Sequence, residues 1–144
     1  MAIRKRHWLW NTLIALTIVI CLAAFILHSK NWIRQEEGGF TLISGFYYSE
    51  IRYDSIEKVS MVPRIPEMKR ESGFSAWAIE KGIFRDTVQG LEGIRVYVDN
   101  LKNPKIILEQ GGSPPIYFNF KDSLETVLFY DKLIEDLKKK EAEN

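Results

Sequence analysis

The chain opens on a continuous apolar run, Trp8 to Leu27, with no charged side chain and with Asn11, Thr12 and Thr17 as its clearly polar groups. A helix crossing a bilayer core needs roughly 20 such residues, because it rises about 1.5 Å per residue across about 30 Å of hydrocarbon. The run therefore predicts a transmembrane helix over residues 8–28. Its backbone is satisfied from within, and the threonine hydroxyls can bond back to it. Trp8 and Trp10 stand at one end and Trp32 beyond the other, where indole rings favour the headgroup region.

Beyond the run the pattern changes period. Residues 29–39 are polar and end on Gly38-Gly39, which predicts a juxtamembrane linker. Phe40 to Ile43, Phe46 to Tyr53 and Ile56 to Val62 read as strands, separated by Ser44-Gly45 and Asp54-Ser55. Two prolines make residues 63–72 a loop. Phe74 to Ile79 predicts a strand, Lys81-Gly82 its turn, and Ile83 to Val88 the returning strand. In the next strand Ile94, Val96 and Val98 point one way, with Arg95, Tyr97 and Asp99 opposite. Lys105 to Glu109 is again extended, and the Gly111 to Pro115 break leads to Ile116, Phe118 and Phe120 facing a core, with Tyr117, Asn119 and Lys121 outward. Short strands at this spacing predict an antiparallel meander bent into a β-sandwich or barrel.

A helix closes the pattern. Asp122-Ser123-Leu124-Glu125 has capping-box form, and Leu124, Val127, Leu128, Ile134 and Leu137 recur at helical spacing as its expected apolar stripe. Lys138, Lys139 and Lys140 suit the negative end of the helix dipole. The domain organisation expected is a basic tail over residues 1–7, the spanning helix over 8–28, the linker over 29–39 and a mainly β domain over 40–141.

Charge sets the orientation. Arg4, Lys5 and Arg6 precede the run, whereas Lys30 and Arg34 follow it. The positive-inside bias puts the N-terminus in the cytoplasm and the domain outside. The stretch after the run lacks an Ala-x-Ala cleavage pattern, and Ile20 directly before Cys21 argues against lipid attachment. With 20 basic and 19 acidic residues the net charge is +1, which gives no basis for nucleic-acid binding.

Chemistry has few carriers. His7, His28 and Cys21 all lie before residue 29, so the β domain holds no histidine or cysteine. That removes nucleophile–histidine arrangements and the usual zinc sets, and no cofactor or metal is expected. The glycines lack phosphate-loop context. Asp54 with Glu57, and Asp99 with Glu109, are the carboxylate pairs to weigh, and solvated strand-edge acids are the better reading of them. No enzymatic activity or small-molecule substrate is expected. The loop over residues 63–70 sets Arg64, Lys69 and Arg70 among Ile65 and Met68, a composition suited to an acidic partner or anionic headgroups. Trp77 is a second candidate contact.

Several segments together resemble a known family. Arg70 to Phe74, Gly82-Ile83-Phe84, Val96-Tyr97-Val98, Pro104-Lys105-Ile106 and Phe118 to Thr126, with Tyr130, occur in the order seen in bacterial membrane-anchored pleckstrin-homology-like proteins. The resemblance covers about residues 40–137. It implies a pleckstrin-homology-like β-barrel or sandwich with one C-terminal helix, serving as a non-catalytic binding module at the cell membrane. The partner expected is a membrane protein or a second copy of the chain, or, from the composition of the 63–70 loop and not from the resemblance, anionic lipid.

Overall fold

A computed structural model describes residues 2–144, with side chains from His7 onward. The side chains of Arg4, Lys5 and Arg6 lie outside the described residues. Helix α1, Ala2–Ser29, runs through the expected basic tail and the apolar run as one element. Its His7–Ser29 portion is long and apolar enough to be a membrane span or a signal sequence. Large apolar side chains stand exposed along it from Trp8 to Leu27. Thr12 and Thr17 donate their hydroxyls to the carbonyls of Trp8 and Leu13, one turn back. These bonds leave both side chains compatible with lipid.

Nine strands follow: β1 Asn31–Glu36, β2 Gly39–Ser44, β3 Tyr47–Arg52, β4 Ile56–Val62, β5 Lys69–Ala76, β6 Ile79–Asp86, β7 Leu91–Val98, β8 Lys105–Gln110 and β9 Ser113–Phe118. Helix α2, Ser123–Glu143, closes the chain. The strands form a three-stranded sheet, β1-β2-β3, and a six-stranded sheet, β4-β8-β9-β7-β6-β5. The protein is mainly β between two helices, and the sheets do not close into a barrel.

Several local expectations are corrected. Residues 31–36 are a paired strand, with Asn31 opposite Ser44 and Glu36 opposite Gly39. The segment looked like a linker because β1 is an edge strand whose one fully buried residue is Asn31. Strand β5 begins at Lys69, inside the expected loop, and ends before Trp77, which lies in the turn to β6. Lys81 and Gly82 are strand residues of β6, paired with Phe74 and Gly73. The meander is also not wholly antiparallel: β9 inserts between β8 and β7 and runs parallel to β7, with Tyr97 opposite Phe118.

Two cores explain why alternation misled. Phe40, Leu42 and Ile51 of the small sheet pack on Tyr97, Ile106, Leu108, Ile116 and Phe118 of the large one. The opposite face of the large sheet carries a second cluster, Phe84, Ile94, Val96, Val98 and Tyr117, covered in part by Ile65, Met68 and Leu101. A sheet covered on both faces buries both sides of its central strands. Hence Tyr97, Asp99, Tyr117 and Asn119, expected on the wet side, are buried.

Asp122 caps α2, its Oδ1 accepting from the Leu124 N–H at 2.9 Å. The helix buries Thr126 and Leu133, with Phe129, Tyr130 and Leu137 packed against the first core. Phe129 lies edge-on to Phe118, Phe120 and Phe40, with centroids 5.9, 5.5 and 5.3 Å away. The expected stripe is corrected accordingly, since Leu124, Val127 and Leu128 face outward.

Candidate functional site at the junction of anchor and domain

Asn31 follows the end of α1 by two residues and is 1 % exposed. Its N–H donates to Asp99 Oδ2 at 2.7 Å, and its side-chain amide donates to the carbonyls of Tyr97 and Asn119 at 2.6 and 2.8 Å. The Lys81 ammonium donates to Asn31 Oδ1 at 3.1 Å and lies 2.9 Å from Asp99 Oδ1, with both charged side chains fully buried. Asn119 completes the network. Its Oδ1 accepts from the N–H groups of Asp99 and Asn100, and its Nδ2 donates to the carbonyls of Asn100 and Pro104.

Four residues from β1, β6 and the ends of β7 and β9 thus converge under the exit of the helix. Burial pushes Lys81 down and Asp99 up from their ordinary values, and the attraction between the two opposes both shifts. The polar groups here are nearly all partnered, as a buried network requires. Its mechanical effect is a joint in which the first residue of the domain is fastened into the large sheet, with no flexible spacer.

The last turn of α1 packs on the same end. His28 lies edge-on to Phe46 and Phe74, at centroid distances of 4.5 and 5.0 Å. Gly45 makes room for it: a Cβ there would collide with the imidazole, and the residue's φ is +64°. His28 Nδ1 is buried with no hydrogen-bond partner among the described residues, so the ring serves as packing surface.

The structure does not gather the sequence-derived contact residues into one patch. Arg64, Lys69 and Arg70 are exposed, but Lys69 and Arg70 begin β5 while Trp77 follows its other end. Trp77 follows Lys69 by the length of the eight-residue strand, about 26 Å when extended. Arg64 follows Pro63, whose carbonyl accepts from Lys105 Nζ, while Leu101 bonds Ala78, so Arg64 shares the end where Trp77 lies. Ile65 and Met68 pack against the second core and are not free contact groups.

Trp77 breaks two local rules together. It is 87 % exposed, and its φ of 51° lies in the left-handed region that favours glycine. Its ring meets that of Phe25 on α1 edge-on at 6.3 Å. Replacing it by Gly is expected to leave stability unchanged or raise it by up to about 1 kcal/mol, because backbone strain is relieved. A buried tryptophan would instead cost about 3–5 kcal/mol on truncation. Urea unfolding of the full chain in detergent separates the two.

Three of the four carboxylates have a cation, and Glu57 has none among the described residues. Asp54 meets Arg52 at 3.1 Å, Glu109 is 4.0 Å from Lys58, and Asp99 is held by Lys81 and not by Glu109. Sequence reasoning missed the junction network: Asn31 lay in an apparent linker, Lys81 in an apparent turn, and Asn119 on an apparent wet face. The signal available was Asp99 and Asn119, each placed directly after the apolar alternation of a strand.

No protein-family model, curated protein or solved structure matches the chain. The functional reading therefore rests on the chain's own chemistry.

Proposed function

We propose that this is a bacterial single-pass membrane protein in which α1 is an uncleaved anchor and the β domain is a non-catalytic binding module. The module is held outside the cytoplasm in a fixed orientation to contact a membrane protein partner. The observation that carries the reading is the joint itself. Asn31, two residues beyond α1, is bonded to Asp99, Tyr97, Asn119 and Lys81, so the anchor passes into the sheet without a free tether. A protein working by lateral contact gains from such a joint, because anchoring in one membrane raises the effective concentration of partner and module. Leu124 and Leu128 on α2, 61 % and 59 % exposed, offer an apolar contact face.

The pleckstrin-homology-like reading belongs to this proposal. Two packed sheets closed by a single C-terminal helix support it, and the parallel β7–β9 pair is this chain's departure from a simple meander. The non-catalytic reading is supported by Asp54, Asp99 and Glu109, each paired with a cation and not with another acid.

Sidedness tests the proposal directly. Ser113, exposed at the start of β9, is changed to Cys in a Cys21→Ala background, and intact cells are treated with a membrane-impermeant maleimide. Labelling before lysis is the expected result. Labelling only after lysis would overturn the orientation, and loss of the protein from the membrane fraction would overturn the anchor. Leu128→Glu should abolish co-purification of a membrane partner while leaving the fold intact.

A further inference from the structure

Two uncharged turns stand beside the exit of α1, and each lifts an aromatic ring into the open. Phe46, in the β2–β3 turn, is 82 % exposed and stacks edge-on with His28. Trp77, in the β5–β6 turn, is 87 % exposed and stacks edge-on with Phe25. Gly45 and Tyr47 flank Phe46, and Ala76 and Ala78 flank Trp77, none of them charged. The two turns come from different sheets, so no single strand pairing accounts for their meeting at one end of the domain.

The helix supplies a depth scale. If the Trp8–Leu27 run spans the hydrocarbon, Phe25 lies two residues from its end, about 3 Å inside the boundary at about 1.5 Å per residue. A ring 6.3 Å from Phe25, edge-on, therefore lies at the boundary of hydrocarbon and headgroups. His28 stands one residue beyond the run, which puts Phe46 at headgroup depth. Indole rings favour that layer because they bury a large apolar area and keep an N–H donor in a wet region.

We propose that the Trp77 and Phe46 turns are immersed in the bilayer interface, so that the β domain rests on the lipid surface on two aromatic feet beside its own anchor. The inference rests on the anchor reading of α1. The occupant is lipid because the surface is continuous with a helix already in it. Insertion of two uncharged turns also desolvates no ion. Trp32, half exposed with the Lys30 ammonium 4.9 Å from its ring centre, is a third aromatic, three residues past the end of α1. Immersion also accounts for the left-handed backbone at Trp77, where a glycine would fold more easily but could not anchor.

The test uses the full chain with Trp8, Trp10 and Trp32 changed to Phe, reconstituted in phosphatidylcholine–phosphatidylglycerol vesicles with shallow brominated acyl chains. A companion chain carries Trp77→Phe and Val88→Trp, because Val88 is exposed in the turn at the other end of β6. Bromine is expected to quench Trp77 severalfold more than the Val88→Trp indole, with blue-shifted emission and weaker quenching by aqueous acrylamide. Flotation with the vesicles after alkaline carbonate reports the anchor separately. A chain that floats but whose Trp77 is as accessible to acrylamide as the Val88→Trp indole overturns the inference and leaves the anchor standing. A chain that fails to float overturns both. A nitroxide on Cys at position 77, in a Cys21→Ala chain that keeps its other tryptophans, repeats the measurement by oxygen against nickel accessibility. Preference for nickel at that site would likewise overturn it.

Discussion

Lys81→Met is expected to destabilise the domain by about 3–5 kcal/mol, because it leaves Asp99 buried without its cation. The ammonium also donates to Asn31 Oδ1, so an acceptor loses its partner in the same step. The loss should depend on pH in a definite direction. Burial already raises Asp99 above its ordinary value of 3.8, and removing Lys81 removes the attraction that opposed the rise. In that variant the folded state holds a proton on Asp99 more tightly than the unfolded state does. Stability then falls as pH climbs from 3.8 through the raised value, and the full cost appears above it. Urea titrations of the full chain in bicelles at acidic and neutral pH measure this. A deficit of equal size at both would show that the carboxylate is hydrated. The double variant Lys81→Met/Asp99→Asn removes both charges and keeps an acceptor for the Asn31 N–H. It should recover much of the loss.

The second large effect concerns which face of α2 holds the domain together. Leu133 is 2 % exposed within the first core, and Leu133→Ala should cost about 2–5 kcal/mol through lost burial and a cavity. Leu128 is an identical side chain on the same helix, facing away. Leu128→Ala should change stability by no more than about 0.5 kcal/mol. The contrast is decisive because helix propensity changes equally in both. If the two variants lost the same stability, the helix would be rotated from the packing described. If Leu128→Ala alone were costly, the expected stripe of Leu124, Val127 and Leu128 would be the true core face.

That helix shows how far one-dimensional pattern can be read. Leu124, Val127, Leu128, Ile134 and Leu137 satisfy helical spacing, yet so do Thr126, Phe129, Tyr130, Leu133 and Leu137, and the second set is the buried one. The choice turns on where Phe118, Phe120 and Phe40 lie, since Phe129 packs against all three. Thr126 was not part of the expected stripe, but its hydroxyl accepts from the Phe120 N–H at 3.0 Å, satisfying the chain as it enters the helix.

The candidate site was legible only in part. Trp77 was a candidate contact by its type alone, and its expected place in a strand gave no reason for the exposure it shows. Arg64, Lys69 and Arg70 were a group only along the chain, because β5 carries Trp77 to the far end from two of them. The buried network was not legible at all. Lys81, Asp99, Asn31 and Asn119 are up to 88 residues apart and polar, and nothing local distinguishes a buried lysine from a solvated one.

The sequence by itself determined what local physics can determine. An uncharged apolar run at bilayer length, strands bounded by turn residues and a capped C-terminal helix follow from the backbone's need for hydrogen bonds and from the cost of burying charge. Which faces those strands bury was decided only by the tertiary structure. Covering the large sheet on both sides turned apparent wet faces into interior, and inserting β9 between β7 and β8 brought Asn119 onto Asp99. Such pairings join residues distant in the chain, and their energies depend on a neighbourhood that exists only after folding.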